Sequence, residues 1–144
     1  MTKEELKQRV CEAIRKRRAD IEGIAQNIFA EPELGFKEQK TSKKVQQAFE
    51  AMGLTCETGW GITGVKTRVK GRKSLKTVAL LGELDAIVCR EHPHADPVTG
   101  AAHCCGHHIQ IANLLAVAWA FKDAGIMNEL DGDVVFFAVP AEEY

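Results

Sequence analysis

The densest chemistry in the sequence is the run His103-Cys104-Cys105-Gly106-His107-His108. Cys105 and His107 stand on either side of a single glycine, which lets a backbone turn tightly enough for a thiolate and an imidazole to face one ion. That pair of ligands suits zinc or another divalent transition metal. The run opens an apolar, helix-like segment, and a helix N-terminus favours a thiolate. The plainer alternative is a buried cysteine among surface histidines. Two ligands do not complete a site, so the others must come from elsewhere in the chain.

Glu142 and Glu143 are the natural source, because adjacent carboxylates closing an apolar strand are costly to bury without a proton or a cation. Neighbouring side chains on an extended segment point in different directions. One could bind a metal while the other holds a water as general base; the alternative is a solvated pair in a loop. Glu83 and Asp85 share one face of their segment by strand alternation and could orient a ligand histidine. Equally, they could be a strand end meeting water. His92 and His94, in a proline-punctuated polar loop, read as solvent-exposed. Cys11 reads as packing beside a helical stripe, and Cys56 and Cys89 carry no chemical signal.

The elements that must position these groups follow from periodicity. Thr2 and Glu5 have capping-box spacing, and apolar residues then recur at three- and four-residue steps as far as Ile28, predicting one amphipathic helix over 2–29. The Glu31-Pro32-Glu33-Leu34-Gly35 segment breaks it. A second helix is expected over 38–52, closed by Gly53. Val65, Thr67 and Val69 alternate with Lys66, Arg68 and Lys70 as a half-exposed strand, whereas 77–81 and 134–139 read as buried strands. Between those two lie an aperiodic stretch over 84–106 and an apolar helix over 109–121. Strand, loop, helix, strand predicts a βαβ crossover in a largely parallel α/β sheet, whose functional groups gather at the carboxyl ends of the strands.

Composition narrows the class. With 45% hydrophobic and 27% charged residues the chain is globular, and a net charge of −1 without basic clusters excludes a nucleic-acid or anionic-membrane partner. Apolar runs are too short for a membrane span. Five cysteines without a secretory leader predict a reduced, cytoplasmic protein, and a redox role for the adjacent Cys104-Cys105 lacks the usual two-residue spacer.

Four segments in order carry a family resemblance: Glu31-Pro32-Glu33-Leu34-Gly35-Phe36, Gly82-Glu83-Leu84-Asp85-Ala86, Ala102-His103-Cys104-Cys105-Gly106-His107 and Pro140-Ala141-Glu142-Glu143. Together they resemble the aminoacylase and carboxypeptidase-type metallopeptidases, in particular the amidohydrolase branch of hippurate, aminobenzoyl-glutamate and auxin-conjugate hydrolases. The resemblance implies a mixed, largely parallel sheet flanked by helices, the N-terminal part of a zinc-peptidase-like catalytic domain over 1–144. It implies metal-dependent hydrolysis of the amide bond of small N-acyl or aroyl amino acids. Zinc is the expected ion, with manganese or cobalt as alternatives, and one or two ions in the full enzyme. Cys105, His107 and Glu143 match metal ligands, Glu142 matches the general base, and Asp85 matches the aspartate of the metal-proximal strand motif. The ion would acidify a bound water and polarise the amide carbonyl, and Glu142 would carry the proton to the leaving nitrogen.

Three positions depart from the pattern. Cys104 stands where alanine is commoner, His108 where aspartate or asparagine is, and Glu83 where the strand motif often has histidine. Family members are two to three times this length, with a lid or dimerisation domain and further histidine ligands. The resemblance therefore implies an N-terminal fragment, inactive alone and prone to self-association; a homo-oligomer is expected. The competing expectation is a non-catalytic metal-binding or oligomerising module.

Overall fold

A computed structural model describes residues 1–144. The N-terminal helix begins as expected: the Thr2 hydroxyl accepts from the Glu5 amide, and the Glu5 carboxylate accepts from the Thr2 amide. The single helix over 2–29 is corrected to two, α1 (Lys3–Lys16) and α2 (Arg18–Phe29), because Arg17 leaves helical geometry at φ −94°, ψ 9°. Its guanidinium pairs instead with Asp20 and with Asp123 at the far end of the chain's last long helix. Cys11 is exposed rather than packed. Helix α3 (Gln39–Ala51) ends as Gly53 predicts. Gly53 takes φ +74°, its amide donates to Glu50, and the Leu54 amide donates to Phe49, which satisfies two otherwise open carbonyls.

Four strands form the main sheet: β1 (Cys56–Trp60), β2 (Gly64–Val69), β3 (Thr77–Glu83) and, last in the chain, β6 (Asp133–Val139). Their order is β1-β2-β6-β3. The sheet is mixed, as expected, but its parallel part is confined to the β3–β6 pair; β1–β2 and β2–β6 are antiparallel. Periodicity alone missed β1, whose polar side chains lie mostly in solvent. Within the segment 84–106, β4 (Ile87–Val88) and β5 (Ala101–Ala102) pair as a short antiparallel ladder.

The expected crossover is present: β3 leads through that segment to helix α4 (His107–Asp123), and α4 leads through a 3-10 turn (Ile126–Glu129) to β6. Residues Val65, Thr67, Val134, Phe136 and Ala138 form the buried face of the sheet. Phe136 meets Phe49 of α3 and Phe121 of α4, with ring centroids 6.5 and 6.1 Å apart, so both helices cover the same side. Helix α4 is apolar nearly all round because α1 and α2 cover its outer side. The expectation of a buried strand over 77–81 is corrected. β3 is an edge strand, and Val78 and Leu81 are each 60% exposed.

Candidate functional site

The parallel pair sets the site. Residue Glu83 of β3 lies in register with Val139 of β6, so the carboxyl ends of both strands reach the same edge. Helix α4 starts at that edge with Gly106 as its cap, at φ +87°, a left-handed conformation that glycine adopts without strain. His107 is the first residue of that helix and is buried.

Around His107 the acids converge. Its Nδ1 lies 2.8 Å from the Asp85 carbonyl oxygen and 3.3 Å from Asp85 Oδ1. A carbonyl only accepts, so Nδ1 carries the hydrogen and Nε2 is left facing the carboxylates. From Nε2 the distances are 2.8 Å to Glu83 Oε2, 3.8 Å to Glu142 Oε2 and 3.8 Å to Glu143 Oε1. Ligand atoms of Glu83, His107 and Glu142 all lie within 4.8 Å of one another. Two ligands on a tetrahedral ion at metal distances of about 2.0–2.2 Å stand about 3.3 Å apart. The three distances from Nε2 bracket that edge, so these residues fit a divalent cation with small movements.

Two contacts fix the acids. Gln110, one turn along α4 from His107, donates from Nε2 to Glu83 Oε2 at 2.7 Å. Asp85 is fully buried, and its Oδ2 accepts the Glu143 amide at 3.0 Å, tying the end of β3 to the turn after β6. Asp85 Oδ1 has no hydrogen-bond partner, a buried negative atom behind the histidine. Of the glutamate pair, Glu143 is the more enclosed, with 21% of its side chain exposed against 50% for Glu142.

The Cys105 thiol sits at the rim, exposed. Its hydrogen bond to Glu143, with some desolvation, pushes its pKa up to about 11. Without a cation Cys105 is thus a thiol donating to Glu143, not the thiolate that the helix N-terminus alone would favour. The sequence-predicted residues Asp85, Cys105, His107, Glu142 and Glu143 therefore meet at one edge. Glu83 joins them, in direct contact with His107.

The Glu31–Phe36 segment explains itself structurally. Leu34 bridges to Ala86 in parallel fashion, and Glu33 accepts the amides of Lys40 and Thr41 at the start of α3. A side chain at Gly35 would come within 2.6 Å of the Tyr144 ring. Glu38, fully buried, accepts from the Thr63 hydroxyl at 2.7 Å and from the Ala141 amide at 2.9 Å. This clamp aims the Glu142-Glu143 turn. Glu38 and Gln110 were missed in the sequence. Gln110 had a signal, since three residues after His107 puts it on the same helix face; a buried glutamate reaching over 100 positions along the chain had none.

Fold and site together define an α/β domain of metallopeptidase type. No family model matches the sequence. Among curated proteins, the chain is 37% identical to IAA-amino acid hydrolase ILR1-like 4 of Arabidopsis thaliana, over 84% of this chain and 28% of that protein. It is 34% identical to thermostable carboxypeptidase 2 of Saccharolobus solfataricus, over 83% and 31%. With the N-acyl-L-amino acid amidohydrolase of Geobacillus stearothermophilus it shares 30% identity, over 99% and 38%. A solved dinuclear metal-binding peptidase of the M20 family from Bacillus subtilis superposes with a TM-score of 0.78 at 28% identity, covering 90% of this chain and 37% of that one. The chain belongs to this family of amidohydrolases and metallopeptidases, and spans about a third of the length of the curated relatives it matches. No helix is long and apolar enough to cross a membrane.

Proposed function

We propose that the protein acts as a metal-dependent amidohydrolase on small N-acyl or aroyl amino acids, with residues 1–144 supplying part of the catalytic domain. The observation that carries this reading is the buried His107 with its Nε2 turned toward Glu83, Glu142 and Glu143 at the ends of the parallel strands. Two of the relatives named above, the IAA-amino acid hydrolase and the N-acyl-L-amino acid amidohydrolase, are named for substrates of this kind, which supports the substrate class.

His107, Glu143, Glu83 and, once deprotonated, Cys105 would hold the cation. A set mixing imidazole, carboxylate and thiolate suits zinc, with manganese or cobalt as alternatives. Bound there, the ion supplies Lewis acidity toward an amide carbonyl and toward water. Glu142, the more solvent-facing acid, takes the proton of the attacking water and delivers it to the departing nitrogen. Asp85, shut away behind the ring, holds the His107 tautomer and the Glu143 amide rather than touching substrate. Five free cysteines support a reducing, cytoplasmic setting. The additional ligands, the lid or dimerisation domain and a homo-oligomeric state are proposals that rest on the greater length of the relatives.

The test is Glu142→Gln in the full-length protein, with metal content and hydrolysis of N-acetyl and N-benzoyl amino acids measured together. The expected variant keeps its metal and loses hydrolysis by at least about a hundredfold. Undiminished turnover would remove Glu142 as the base. Stoichiometric metal without hydrolysis in the unaltered protein would favour a binding module instead.

A further inference from the structure

A second group of histidines lies away from the carboxylate cluster. His103, between β5 and α4, and His108, in the first turn of α4, stand with ring centroids 5.2 Å apart at an interplanar angle of 46°. His103 is only 5% exposed, and both of its ring nitrogens are buried without a hydrogen-bond partner; Nδ1 of His108 is in the same state. Three orphaned buried imidazole nitrogens in one place are costly unless something satisfies them. The Phe29 ring at the end of α2 packs against His108 at 5.0 Å and against His94 and His92 at 5.2 and 6.1 Å. Three of the five histidines in the chain thus pack around Phe29, and the fourth, His103, packs against His108; none of the four belongs to the centre around His107.

We propose that His103 and His108 form a second metal site, selective for a late transition metal such as nickel, zinc or copper. Two imidazoles bound to one tetrahedral ion at about 2.0–2.1 Å place their ring centroids about 5 Å apart, which is the separation of this pair. Both candidate ligands are imidazole nitrogens. An all-nitrogen site discriminates against manganese and magnesium, which the carboxylate-rich centre at His107 accommodates. His108 is only half-buried, which leaves a path for entry. This site is independent of the hydrolytic reading.

The test uses Ni2+, which does not oxidise the neighbouring thiols, titrated calorimetrically into the metal-free full chain carrying Glu83→Gln and His107→Gln. The expected result is about one bound Ni2+ per chain, with the dissociation constant raised at least about tenfold by His108→Gln and again by His103→Asn. Because His103 is buried, the same site is also read in the unaltered protein, where Ni2+ should protect His108 from acylation by diethyl pyrocarbonate. The proposal is overturned if the doubly substituted chain binds no stoichiometric Ni2+. It is equally overturned if His108→Gln leaves binding unchanged or if His108 is acylated at the same rate with and without Ni2+; ordered water alone would then satisfy the rings. Absence of hydrolysis in the unaltered full-length protein, with Ni2+ binding at His103 and His108 intact, would instead count against the proposed function only.

Discussion

Gln110 shows how a single hydrogen bond can govern a metal centre. Its amide holds Glu83 within 2.8 Å of His107 while leaving the other carboxylate oxygen free. Replacing it by leucine of similar bulk should leave the fold intact and weaken divalent-metal affinity about 10–100-fold, read by competition with a chromophoric chelator. Unchanged affinity would mean that Glu83 finds its place without help. Gly106 offers a second measurement. Its φ of +87° strains any other residue although no atom lies near its missing side chain. Gly106→Ala should therefore lower stability by about 1 kcal/mol in urea denaturation and disturb the Cys105–His107 geometry, raising the metal dissociation constant as well. At this scale the sequence was informative because chemistry and spacing are local: Cys105-Gly106-His107 and Glu142-Glu143 announce themselves. The ionisation of Cys105 was not legible, since it depends on Glu143, 38 positions away, more than on the helix end beside it.

Elements were legible where their period was clean. The capping box, the Gly53 stop and the β3–α4–β6 crossover follow from propensity and pattern, whereas the break at Arg17 does not. A helical stripe runs through that position, and the Arg17 contact with Asp123 at the end of α4 is a tertiary feature that no local pattern announces. Burial of β3 was misjudged for a related reason, because an apolar run cannot tell a central strand from an edge one. Asp133, the first residue of β6, is the tertiary counterpart of a cap. Its carboxylate accepts from the Ser74 hydroxyl at 2.6 Å, the Gly71 amide at 2.9 Å and Arg68 at 2.8 Å, tying the β2–β3 connection to the central strand. Those contacts, the Ser74 bond foremost, hold its pKa below the usual aspartate value. The folded chain therefore takes up this proton at lower pH than the unfolded chain does. The charge contributes its full stabilisation above the unfolded value of about 4 and loses it as pH falls through the folded value beneath. The urea midpoint should be higher for the unaltered protein than for Asp133→Asn at pH 6, and the gap should narrow as pH falls below about 4. A gap independent of pH would show that the hydrogen bonds matter and the charge does not.

At the scale of the molecule, the helices occupy one side of the sheet. The other side presents Ala79 and Leu81 of β3 beside Val135 and Phe137 of β6, with Lys66 reaching over Trp60 at 3.6 Å. Leu81 is 60% exposed and Trp60 44%, while β3 leaves its outer backbone edge unpaired. An apolar face beside an open strand edge favours association. The polypeptide of residues 1–144, prepared by itself, should thus self-associate as its concentration rises, and sedimentation velocity will show a weight-average mass above that of the monomer. Leu81→Lys places a charge on that face beside the open edge, on a side chain already largely in water, so it should return the chain to monomer with little change in unfolding midpoint. A monomer at all concentrations would show that Trp60, Lys66 and Arg68 screen the face sufficiently. Association untouched by Leu81→Lys, but reduced by Val78→Pro on the outer strand, would place the contact at the edge of β3 instead of its face.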